Sequence, residues 1–155
     1  MAGRTGFRRV VIGLDGSPHS RRAAAFLARL TPPRGGLVTV VRVVESVRVP
    51  SMPLVPGSVR AQIAAQADTI TQGQIALARR RVEAAATKLE RAGWRARGVV
   101  RTGQPLAQLL AAVRAARADV LVLGARGAGA VTHFLLGSTA EAALKHAAVP
   151  VLIVK

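Results

Sequence analysis

Glycines, an arginine and two adjacent hydroxyls toward the end of the chain form its most chemically suggestive arrangement. Gly124, Gly127 and Gly129 follow an apolar run, Arg126 lies among them, and after nine intervening residues beyond Gly127 come Gly137, Ser138 and Thr139. Glycines there would let the backbone take positive φ and let peptide N–H groups meet a ligand with no Cβ in the way. Ser138, with Glu141 three positions on, reads as a capping box that opens a helix. A loop of amides facing a helix N-terminus attracts anions. Arg126 could pair with a phosphate in bidentate fashion or point to solvent. The hydroxyls and amides of Ser138 and Thr139 would suit β- and γ-phosphates. The plainer alternative is a tight strand-to-helix connection in which Ser138 only caps.

The second chemical residue is Asp15, in Asp15-Gly16-Ser17-Pro18 at the end of an apolar run. A carboxylate at the end of a buried strand can accept hydrogen bonds from a ribose or an adenine amino group; its plainer role is a turn aspartate that caps the next helix. His19, His133 and His146 show no metal-ligand spacing, and only His133, inside the glycine stretch, is placed near the proposed phosphates. Any magnesium or manganese ion would arrive with the phosphates rather than sit in a protein cage. The chain has no cysteine, which excludes a disulfide framework, a thiolate metal site and a cysteine nucleophile.

The elements that must position these residues alternate regularly. Residues 8–15 form an apolar, β-branched strand, and Ser17-Pro18 is an N-cap with proline at the first helical position. The helix runs to about Leu30, with Ala23, Phe26, Leu27 and Leu30 on one face, and stops at Thr31-Pro32-Pro33-Arg34-Gly35-Gly36. Residues 37–44 form a second strand, and residues 45–58, with Pro50, Pro53 and Pro56, an exposed irregular loop. Residues 59–92 are helical through Ile63, Ala67, Ile70, Leu77, Val82, Ala85 and Leu89, with Gly73 a candidate bend and Gly93 the C′ residue. Residues 95–101 carry three arginines and read as an edge strand, and Trp94 packs at a helix end. A helix opening at Pro105 turns Leu106, Leu109, Leu110 and Val113 inward. Val120, Leu121, Val122 and Leu123 form a strand buried on both faces, followed by the glycine stretch, a helix to about His146 and a last strand.

Strands and helices in this alternation predict a doubly wound, Rossmann-like α/β fold with a five-stranded parallel sheet in one domain spanning residues 1–155. The expected strand order is 3-2-1-4-5. Chain direction then reverses between strands one and four, and ligands bind beyond the strand carboxyl ends at that point. Asp15 and Gly124 both lie there.

Gly124-x-x-Gly127, nine residues, then Gly137-Ser138 resembles the nucleotide loop of the ATP-binding subgroup of universal stress proteins. Val10-Val11-Ile12-Gly13-Leu14-Asp15-Gly16-Ser17 resembles that family's first strand and aspartate, and Ala147-Ala148-Val149-Pro150-Val151-Leu152-Ile153-Val154 its last strand. The resemblance implies an ATP-binding regulatory or stress-response protein. It places Asp15 at the nucleoside, Gly13, Leu14, Val43 and Leu123 along adenine and ribose, and Gly124, Ala125, Arg126, Gly127, Gly137, Ser138 and Thr139 around the phosphates. It also implies a homodimer through the last strand, which reads as an exposed apolar edge in Val149, Val151, Leu152, Ile153 and Val154.

Other functions compete with this one. A slow ATP hydrolase or phosphotransferase would need a positioned base and a cation beside the γ-phosphate; the loop has no Walker lysine and no second carboxylate, so little or no turnover is expected. The net charge of +16 raises nucleic-acid binding, but the basic residues are dispersed and Phe7, Phe26, Trp94 and Phe134 give no stacking platform. No apolar run is long enough to span a bilayer and no signal peptide is evident, so a soluble, cytoplasmic protein is expected.

Overall fold

The structure, a computed structural model, describes residues 6–127 and 136–155. The strands are β1 (Arg9–Gly13), β2 (Leu37–Val44), β3 (Arg95–Thr102), β4 (Val120–Gly124) and β5 (Val151–Val154), and the helices α1 (Pro18–Arg29), α2 (Gly57–Arg91), α3 (Pro105–Ala116) and α4 (Ser138–His146). They form one parallel sheet in the expected order β3-β2-β1-β4-β5. Val11 pairs with Thr39 on one side and Leu121 on the other, which brings the ends of β1 and β4 level.

Strand alternation divides the core between the two faces, since successive side chains point opposite ways. Val10, Ile12, Val38, Val40, Val120 and Val122 meet Ala23 and Leu27 of α1 and Val82, Ala86 and Leu89 of α2. Val11, Val41, Leu121 and Leu123 meet Leu109, Ala112 and Val113 of α3 and Ala140 and Ala143 of α4. Every strand residue just named is buried, which explains why β1, β2 and β4 read as unbroken apolar runs.

The long helix departs from expectation twice. It is continuous through Gly73, where an added Cβ would meet none of the described residues within 4 Å. A single exposed glycine costs a helix only about 1 kcal/mol relative to alanine, too little to break one held by packing on both sides. Its buried stripe is Ala67, Thr71, Ala78, Val82, Ala86 and Leu89, whereas Ile70 and Leu77 remain about half exposed. Small residues seat the helix close to the sheet, and the bulkier pair one position away stays outside. The loop before it is tied down at Val47, whose N–H donates to Thr71 Oγ1 at 3.3 Å.

Candidate functional site

Between the ends of β1 and β4 the chain has to turn sharply on both sides, and one polar knot holds the two turns together. Ser17 is the N-cap of α1: its Oγ accepts the Ser20 N–H at 3.1 Å and donates to the Arg126 carbonyl at 3.0 Å. Asp15 Oδ1 accepts the Ser17 N–H at 2.9 Å, so the plainer reading of this aspartate is met by one oxygen. Its Oδ2 faces Gly127, where an added Cβ would sit 3.0 Å away. One carboxylate thus shapes the first turn and faces the second.

The glycines do not take the backbone shape expected of them. Neither Gly124 nor Gly127 has positive φ, and Gly137 has φ −64°. Gly124 is required by packing: a Cβ there would fall 2.6 Å from the His19 carbonyl carbon and Ser20 nitrogen of α1. The start of α1 lies directly on the end of β4. A Cβ on Gly13 would meet Leu123 Cδ2 at 2.6 Å, and one on Gly137 would lie 3.2 Å from Arg126 Cα and Gly127 N. The Gly137 N–H donates to the Ala125 carbonyl at 2.8 Å, bringing the start of α4 against the strand end.

The expected capping box is not formed. Helix α4 begins at Ser138 itself, with Gly137 as N-cap and no side-chain cap bond, and Glu141 reaches Lys145 at 2.7 Å instead. An N-cap residue needs non-helical backbone, and the extended conformation falls one residue earlier than the sequence pattern suggests. The first-turn amides of α4 therefore lack a side-chain acceptor within their own turn.

These turns enclose a cleft of about 420 Å³, within the ordinary range for a small-molecule site. Of the residues expected at the site, Gly13, Leu14, Asp15, Val43, Leu123, Gly124, Arg126, Gly127, Gly137, Ser138 and Thr139 line it. Ala125 does not: it is buried, donating to the Val154 carbonyl at 2.7 Å and accepting from Gly137. Gly129 and His133 lie outside the described residues. The wall also contains residues that sequence reasoning missed, among them Ser20, Arg42, Glu45, Pro105 and Leu109. Glu45 supplies a second carboxylate to the cleft, at the end of β2 rather than in the loop. Alternation along β2 could have flagged Arg42, a lone charge in an apolar strand. Burial pushes its guanidinium pKa down, Asp15 opposes that shift, and Arg81 adds to it.

Chemically the cleft offers apolar walls from Leu14, Val43, Leu109 and Leu123, a carboxylate at one turn, and backbone amides with hydroxyls at a helix start. That combination suits a ligand with a flat apolar part, hydroxyls and an anionic tail. Among the described residues no group of three or more histidines, acids or cysteines could hold a metal ion. No helix among them is long and apolar enough to cross a membrane.

The family model for the universal stress protein family matches residues 6–155. A universal stress protein of Thermus aquaticus is 29% identical over 96% of this chain and 99% of its own length. The solved structure of the hypothetical protein MJ0577 superposes with TM-score 0.80 at 18% identity, covering 96% of this chain and 95% of that one. A universal stress protein in complex with cAMP superposes with TM-score 0.63 at 21% identity, covering 97% and 98%.

Proposed function

The chain belongs to the universal stress protein family, and from that premise we propose that its cleft binds ATP or a related adenine nucleotide, with occupancy rather than turnover as the regulatory signal of a stress-response protein. The observation that carries this reading is the convergence of Asp15, Gly127 and the start of α4 on one cleft at the point where strand order reverses. A relative of the same fold bound to cAMP supports the nucleotide class.

In this reading the adenine lies along Leu14, Val43 and Leu123, the ribose hydroxyls reach Asp15 beside Gly13, and the phosphates run past Gly124, Arg126 and Gly127 to Gly137, Ser138 and Thr139. Ala125 contributes only by fixing Gly137. A nucleotide fits because Gly127 leaves open the space beside Asp15 that a side chain would fill. Magnesium or manganese would come with the triphosphate, held by its oxygens and water. Turnover is slow because Glu45, the carboxylate besides Asp15 on the cleft wall, follows β2, with β1 between it and the loop after β4. The test is calorimetry with ATP: micromolar binding in the wild type and a loss of about tenfold or more in Asp15→Ala are expected. Equal affinity in both proteins would remove Asp15 from the site.

The same family resemblance motivates a homodimer through β5. Among the described residues this strand pairs only with β4, and Val151, Leu152, Ile153 and Val154 are each half-buried, so an apolar edge is left for a second copy to pair with antiparallel. Light scattering at tens of micromolar should give a dimer mass that Val151→Lys converts to monomer. A wild-type monomer with and without ATP would refute the pairing.

A further inference from the structure

The cleft has a basic neighbour. On the α2 side of the sheet a second cavity of about 310 Å³ opens beside the end of β2, with Arg42, Glu45, Gln74, Leu77 and Arg81 in its wall. Arg42, Val43 and Glu45 line both cavities, so the two share a border. Arg42 follows Val38 and Val40 by strand alternation on the face that meets α1 and α2, and its Nη1 comes 3.5 Å from the Leu14 carbonyl. Arg81 approaches from α2: a Cβ on Gly16 would lie 3.2 Å from its Nη1. Arg21 Nη1 donates to the Gly16 carbonyl at 2.5 Å.

Charge around the Asp15–Gly16 turn is unbalanced. Arg21, Arg42, Arg81 and Arg126 gather there with Asp15 and Glu45 as the carboxylates, an excess of two positive charges among the described residues. Arg42 is half-buried: desolvation is the main cost to its charge, Asp15 offsets part of it, and Arg81 adds a smaller cost. A guanidinium does not escape such a cost by losing its proton, so an incoming anion is the natural relief. The planar forks of Arg42 and Arg81 suit phosphate oxygens.

We propose that this second cavity is a phosphate subsite for a group carried on the ribose 2′ or 3′ oxygen, so that the favoured ligand is an adenine nucleotide with one phosphate outside its 5′ chain. The proposal rests on the nucleotide reading above and deepens it. A sugar held at Asp15 has Gly127 and the start of α4 on one side for its 5′ phosphates, and Arg42 with Arg81 on the other. Gln74 and Glu45 border the remaining space, where water or a sugar hydroxyl can bond to them.

The experiment is calorimetry at fixed ionic strength on the full chain and on Arg81→Gln. Its probes are AMP, adenosine 2′,5′-bisphosphate, adenosine 3′,5′-bisphosphate, and inorganic phosphate added to AMP-saturated protein. Arg81 is exposed, so the variant should fold, which its melting curve checks. At least one bisphosphate should bind wild type about tenfold more tightly than AMP. In Arg81→Gln the gain should shrink to about twofold or less, with AMP affinity unchanged. If AMP binds and neither bisphosphate gains, the proposal fails while the nucleotide reading stands. If no adenine nucleotide binds at all, it is that reading that fails and the ribose-borne phosphate goes with it. A bisphosphate gain that survives Arg81→Gln removes the assignment to this cavity. Phosphate that binds AMP-saturated wild type but not the variant, while bisphosphates gain nothing, marks a free-anion site and overturns the ribose attachment.

Discussion

The floor of the cleft and its rim use glycine for opposite reasons. On the floor, Gly13 and Gly124 are filled against: a Cβ on either would collide at 2.6 Å with Leu123 or with the backbone of α1. At the rim, Gly127 has, among the described residues, only the end of the Asp15 side chain near it. The floor glycines let two elements touch, and the rim glycine leaves a gap beside a carboxylate. If the cleft binds as proposed, substitutions at Gly124, the last residue of β4, and at Gly127 just beyond it should separate stability from binding.

Gly124→Val tests the floor most severely, because the atoms it meets are helix backbone and cannot swing aside. We expect a loss of about 3 kcal/mol or more in urea unfolding; a loss below about 1 kcal/mol would mean that α1 can retreat from β4 at little cost. Ser17→Ala should cost about 1–2 kcal/mol, since it removes both the α1 cap and the tether to the Arg126 carbonyl. It should also weaken ATP binding several-fold through the loosened loop, and an unchanged affinity would separate that loop from the floor. Gly127→Val should do the reverse of Gly124→Val, leaving unfolding within about 1 kcal/mol of wild type while ATP affinity drops about tenfold. If it unfolds the protein instead, the distinction between floor and rim collapses.

The smallest effect belongs to the outer face of α4, where Lys145 holds the Glu141 carboxyl below the usual carboxylate range through a hydrogen bond and its charge. A carboxyl lowered by folding contributes stability above its unfolded pKa and loses it as pH falls through the lowered value. The pair is exposed, so Lys145→Met should shift the melting midpoint at neutral pH by no more than about 1 °C. An NMR titration should show the Glu141 carboxyl returning to its ordinary range in that variant.

The fold was legible because its signals are local and repeated. β1, β2 and β4 are apolar at nearly every position, and Ser17-Pro18 and Gly93 mark a helix start and stop that the structure keeps. The lining of the cleft was legible as a set of positions but not as a set of reasons. The glycine pattern suggests room for a ligand at Gly124, whereas its contact is with His19 and Ser20, more than a hundred residues earlier in the chain. Ser138 satisfied the pattern of a capping box, yet the cap fell on Gly137 because backbone conformation rather than residue type decides the position. Arg42 and Glu45 escaped notice since their neighbours across the cavity come from α2, and nothing within β2 reveals which helix residue will face it.

Trp94 sits at the opposite end of the sheet from the cleft, buried at the start of β3, with its Nε1 donating to the Leu27 carbonyl at 3.0 Å across 67 positions of chain. It is the single tryptophan and there is no tyrosine, so near-ultraviolet emission from this protein comes from one indole. That indole couples the end of α1 to the turn after α2, and it changes surroundings when those elements part. A nucleotide bound in the proposed cleft, at the other ends of the strands, would leave it untouched. Intrinsic fluorescence is thus a clean optical gauge of global unfolding that is blind to ligand at fixed temperature, registering occupancy only as a displaced melting curve.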